Sequence, residues 1–221
     1  MKALIGLLFS TAVLLGGCAE PGDGIGNPLY RKLHWFSFVG GEDLRAECRA
    51  GAPDRLRLVY NAQWGEQVRV YEWDSAARDL RIRVIGSGDL TRLTSADLLA
   101  PWRAEEAHVP LSGEDHQALI AALAEAGAFG APAVGLDLPS QDYYWLAATC
   151  HDGRFTVTGW RWPSSAFEAA RFPALLFAHD PGRAGVALPA ERGFDPVWAD
   201  AAQRGATNGF LLTIGRDGLV R

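Results

Sequence analysis

Three consecutive runs alternate between apolar and polar residues with a period of two, and this pattern limits the fold more than any other feature. "RLRLVYNA" (55–62) places Leu56, Leu58 and Tyr60 on one face, and "EQVRVYEW" (66–73) places Val68 and Val70 on one face. "DLRIRVIG" (79–86) does the same with Leu80, Ile82 and Val84. A side-chain period of two is that of a half-buried strand, and short polar links between such runs predict an antiparallel meander. "DYYWLAATC" (142–150) and "RFTVTGWRW" (154–162) flank His151-Asp152-Gly153. Asp-Gly supplies the positive φ angles of a tight turn, so these runs predict a hairpin.

Helices read from their ends. Ser112 and Asp115 open "SGEDHQALIAALAEAG" (112–127) with a capping-box pattern, and Gly127 closes it. Along this segment His116, Leu119, Ile120 and Leu123 recur at helical spacing. Ser165 with Glu168 predicts a second helix start, with Pro173 as its kink or end. "DPVWADAAQRG" (195–205) predicts a third, capped by Asp195 with Pro196 in its first turn. "LHWFSFVG" (33–40) reads as an aromatic strand, 87–111 as irregular, and "GFLLTIG" (209–215) as a final strand. Segregated strands and helices predict an α+β fold: an antiparallel β-sheet, meander plus hairpin, with two or three helices packed on it.

At the N-terminus, Met1-Lys2 precedes an uncharged apolar stretch, Ala3–Leu15, which is too short to span a bilayer. A charged start, a short apolar core and small residues form a secretory signal pattern. Leu15-Gly16-Gly17-Cys18 resembles the lipobox of bacterial lipoproteins. The resemblance covers residues 1–18. It implies diacylglyceryl transfer to the Cys18 sulfur, cleavage after Gly17 and a membrane anchor through lipid. Ala19 rather than aspartate follows the cysteine, which by the same analogy implies the outer membrane, facing the periplasm. The predicted organisation is a signal peptide at 1–17, a lipidated cysteine and flexible Gly/Pro-rich tether at 18–30, and a single globular domain at 31–221.

Two further cysteines, Cys48 and Cys150, each close a strand-like run. In an exported chain such a pair predicts a disulfide. Metal binding is the alternative, but neither Cys-x-x-Cys nor a Cys/His cluster at ligand spacing is present. The net charge of −5 and the lack of a basic stripe argue against a nucleic-acid partner.

Signals for catalysis are sparse. The sequence has no Gly-x-Ser-x-Gly, no Ser-x-x-Lys and no phosphate-binding glycine loop, and no motif implies a cofactor or a metal. Of the five histidines, His151 stands out because it sits in a tight turn beside Asp152. A periplasmic hydrolase or transferase with a dispersed site near His151 and Asp152 is therefore one reading.

The leading reading is a non-catalytic binding or structural module. If the aliphatic sets of the meander all face the core, the opposite side carries Arg55, Arg57, Arg69, Tyr71, Trp73, Arg81 and Arg83. Guanidinium forks and aromatic rings on one sheet face suit an envelope protein or an anionic envelope polymer as partner. The plain alternative is that the arginines lie across the rings or pair with Glu66, Glu72 and Asp79. Trp160 and Trp162 form a smaller candidate surface, for which burial as core bulk is the simpler reading.

Overall fold

A computed structural model describes residues 22–190 and 209–220. The lipobox with Cys18, and the helix expected over 195–205, lie outside the described residues.

The three alternating runs form strands β1 (Arg55–Ala62), β2 (Gln67–Asp74) and β3 (Asp79–Gly86) of an antiparallel meander. A fourth strand, β4 (Glu105–Pro110), pairs with β3 where irregular chain was expected. Its apolar positions are only Ala107 and Val109, between outward Glu106 and His108, an alternation too short to mark a strand. β5 (Asp137–Pro139) belongs to a smaller sheet. The predicted hairpin is β6 (Tyr143–His151) and β7 (Arg154–Arg161), turned at Asp152 and Gly153, both with positive φ. The main sheet has the order β4-β3-β2-β1-β6-β7 and is antiparallel throughout. β8 (Leu211–Ile214) and β9 (Leu219–Val220) complete the smaller sheet with β5.

The main sheet is apolar on both faces, and each face is covered. One side carries α3 (Gly113–Glu125), α4 (Ser165–Ala169) and α5 (Phe172–His179). Here Leu56, Leu58, Tyr60, Trp145 and Trp160 pack with Leu119, Leu123, Phe172 and Leu176. The Tyr60 and Trp145 rings stack at 4.9 Å, and Phe172 packs on both Trp145 and Trp160. Trp160 is thus core, and its ring N–H donates to the Ala126 carbonyl. The Ser112–Asp115 capping box that opens α3 is present with both reciprocal bonds. α4 is capped by Ser164, one residue earlier than the sequence pattern suggests, and Pro173 sits in the first turn of α5.

The opposite face is covered by α1 (Pro28–Val39), α2 (Glu42–Glu47) and the smaller sheet. α1 corrects two expectations. The aromatic run at 33–40 is helical and not a strand: Asn27 caps the helix through its side chain, Pro28 occupies the first turn, and Arg31, Trp35, Phe38 and Val39 recur on its buried side. The expected flexible tether is also ordered from Gly22 onward. Gly22–Gly26 forms a 3-10 turn that buries Ile25 completely. Residues 22–30, expected in the tether, are therefore packed as part of the domain.

Cys48 and Cys150 form a disulfide, with Cα atoms 5.6 Å apart and a sequence separation of 102. Cys150 lies in β6 as expected, but Cys48 ends helix α2 and does not close a strand. Gly153 is pressed against this junction. A Cβ there would lie 2.6 Å from the Ala50 nitrogen, on a residue with φ of +72°.

Candidate functional site

Sheet register divides the expected arginine-aromatic face in two. Arg57 lies opposite Glu72, and Glu72 opposite Arg81, so these share a side with Arg83. Tyr71 lies opposite Leu58, and Trp73 opposite Leu56, so Arg69, Tyr71 and Trp73 share the other side. The aliphatic pair Val68 and Val70 faces α1, out of phase with the aliphatic faces of β1 and β3. Neither half is open. Arg57, Arg69, Tyr71, Trp73 and Arg83 are all buried, and only Arg55 and Arg81 keep partial exposure. The expected docking surface on Arg57, Arg69, Tyr71, Trp73, Arg81 and Arg83 is therefore corrected: these side chains hold the sheet to the elements covering it.

On the α1 side they form a chain of alternating charge. Arg57 donates to both Asp43 oxygens at 2.7 Å, to Glu72 at 2.9 Å and to the Phe38 carbonyl at 2.6 Å. Its guanidinium lies 3.7 Å from the Phe38 ring centre. Glu72 also accepts from Arg83, whose Nε donates to Glu106 at 2.8 Å. Arg81 bridges Glu106 and Asp23. Burial opposes the charge on Arg57, but Glu72 and Asp43 outweigh it and raise its pKa. Burial likewise disfavours the Glu106 carboxylate, yet Arg83, Arg81 and His108 hold it down at about 2. On the α5 side, Arg69 donates to Asp180 at 2.5 Å and to the Gly182 carbonyl at 3.0 Å. Tyr71 donates to the same Asp180 oxygen at 2.7 Å. Burial, then the Asp180 carboxylate, pushes the Tyr71 hydroxyl well above the usual tyrosine range. Trp73 stacks on His116 at 5.2 Å.

The hairpin corner at His151 is organised by a residue the sequence does not single out. Asp54 accepts from His151 Nδ1 at 2.8 Å and from the Asp152 backbone N–H at 3.1 Å. Phe129 stacks on the imidazole at 4.1 Å. An aspartate on Nδ1 fixes ring orientation and tautomer, as in an acid–base dyad, and leaves Nε2 outward. The neighbouring thiol, Cys150, is committed to the disulfide. Asp54, His151 and Asp152 bring ligand atoms within 4.8 Å of one another. With Asp54 occupied by the ring and the turn, Nε2 and the exposed Asp152 remain, 3.6 Å apart. Two free protein groups are fewer than the three of a catalytic zinc site.

A third location had no signal in the sequence. An open cleft of about 330 Å³ lies where the start of β7, the end of α2 and the β8–β9 turn meet. Arg45, Arg154 and Arg216 line it, with Phe155, Pro132 and Asp217. Arg45 sits 4.6 Å from the Phe155 ring centre and donates to the Asp217 carbonyl. Among the described residues, none of the three arginines forms an ion pair, whereas Arg55, Arg57, Arg69, Arg81, Arg83, Arg92, Arg103 and Arg161 all do.

No family model matches the chain, and no curated protein or solved structure matches it significantly. Among the described residues, no helix is long and apolar enough to cross a membrane.

Proposed function

We propose that this chain is a bacterial envelope lipoprotein, anchored through lipid on Cys18 and facing the periplasm from the outer membrane, with its α+β domain acting as a non-catalytic binding module. The observation that carries this reading is the division of the three cysteines. Cys48 and Cys150 are joined as a disulfide, which suits an oxidising compartment outside the cytoplasm. That leaves Cys18, preceded by Leu15-Gly16-Gly17, as the one cysteine for acylation. Two or three acyl chains give stable attachment, since each buried methylene contributes about 0.8 kcal/mol.

The test is palmitate incorporation in the native cell, comparing wild type with Cys18→Ser. Label on the wild type that disappears in the variant supports the anchor. An unlabelled wild type, or a variant labelled equally, sinks it.

A hydrolase or transferase centred on His151 is the second reading, favoured by the 2.8 Å contact between Asp54 and His151. It requires an activity on ester or glycosyl substrates that is lost in His151→Gln while the protein remains folded.

A further inference from the structure

We propose that the cleft formed by Arg45, Arg154 and Arg216 binds a small dianion with an attached ring or apolar group, a phosphate monoester being the chemistry that fits it. This rests on the reading of the domain as a binding module and names its ligand.

The argument begins with charge. The chain carries −5 overall, and nearly all its sheet arginines are neutralised by carboxylates. The cleft reverses this: three guanidinium groups meet one carboxylate, Asp217, and none of the three is paired with it. The lining is thus left with two positive charges, which matches a dianion. The three groups come from α2, β7 and the β8–β9 turn, so they approach from different directions. A planar carboxylate is gripped by a single fork, whereas a tetrahedral phosphate offers three terminal oxygens to three separate donors.

Volume and lining then specify the rest of the ligand. About 330 Å³ is more than a bare ion needs and lies at the small end of ligand-binding clefts. Phe155 and Pro132 supply apolar wall. Arg45 is already oriented, because its guanidinium is stacked on Phe155 and tied to the Asp217 carbonyl, so part of the ordering cost precedes binding. Arg154 and Arg216 are exposed and free to close on the ligand.

The same chemistry is found on a soluble phosphate ester and on the phosphate headgroup of a membrane lipid. The test is calorimetric titration of the full-length protein in detergent micelles with phenyl phosphate, at low ionic strength and pH 7.5. We expect saturable binding that weakens at least about tenfold in Arg154→Ala/Arg216→Ala, the loss expected from removing charge-assisted contacts. It should persist in Arg171→Ala/Arg183→Ala, which removes two exposed arginines outside the cleft. Binding should also strengthen from pH 5 to 7.5, as the ester takes its second negative charge near pH 6. No binding to the wild type, or equal loss in both double variants, overturns the proposal. Equal affinity for inorganic phosphate overturns its ring-bearing part. Competition by dihexanoyl phosphatidic acid, without competition by dihexanoyl phosphatidylcholine, assigns the lipid headgroup as source, and failure of both to compete assigns a soluble ester. Palmitate labelling of Cys18 is read separately, so loss of the anchor and loss of the cleft are distinct results.

Discussion

At Arg57 a fully buried guanidinium is surrounded by two carboxylates, a carbonyl and an aromatic ring, so that its donors are engaged within the protein. Such a group contributes little as a pair but is costly to break, because its partners stay behind as buried charge. We expect Arg57→Met to destabilise the protein by about 3–5 kcal/mol in urea unfolding. Arg81→Met should cost less, about 1 kcal/mol, because its partners Asp23 and Glu106 are both open to water and Glu106 keeps Arg83. Titration follows the same environments. Glu106 has a folded pKa of about 2 against an ordinary 4.5, so its stabilisation is complete above 4.5 and fades as pH falls toward 2. His108 is raised by Asp79 and Glu106, so its contribution is present below its ordinary value of 6.5 and is lost as pH rises through the folded value. Tyr60, Tyr71 and Tyr144 are raised mainly by burial. The unfolded chain loses these protons near pH 10 and the folded one does not, so stability falls above pH 10. Absorbance at 295 nm should show these three ionising together with unfolding. A gradual titration of all tyrosines in the folded protein would contradict the packing.

Element by element, the sequence is legible where one physical rule dominates. The β1–β3 meander and the β6–β7 hairpin follow from a period of two, and α3 from its capping box. The phase of β2 is not legible. Both faces of the sheet are covered, so Val68 and Val70 satisfy one core and Tyr71 and Trp73 the other, and alternation alone does not say which faces which. That is why a face predicted to be free is buried. α1 misleads for another reason: its aromatic residues favour strands in isolation, and the tertiary position of Trp35 and Phe38 overrides that preference. The Asn27 cap is the signal that identifies the helix. Asn27→Ala should cost about 1 kcal/mol, as should Ser112→Ala at the start of α3, both by denaturant midpoint. Gly153→Ala is expected to exceed either. It combines a positive φ with a Cβ driven into the Ala50 backbone, beside the disulfide.

For the whole molecule, the disulfide ties the α1–α2 layer to β6 of the main sheet across a sequence separation of 102. Cys48→Ser/Cys150→Ser should lose about 2–5 kcal/mol, measured against the oxidised wild type without reductant. The pairing was legible from cysteine arithmetic. The arginine cleft was not, because Arg45, Arg154 and Arg216 are brought together only by the final assembly of two sheets and a helix. The buried Ile25 carries a consequence of a different kind. Because Gly22 already belongs to the packed domain, an acylated Cys18 would be separated from it by four residue steps, at most about 14 Å of chain. A globular body of this size has a radius of gyration of about 16 Å. The mooring is shorter than the vessel, so such a protein would travel in two dimensions with its membrane, and anything it meets must also reach that surface.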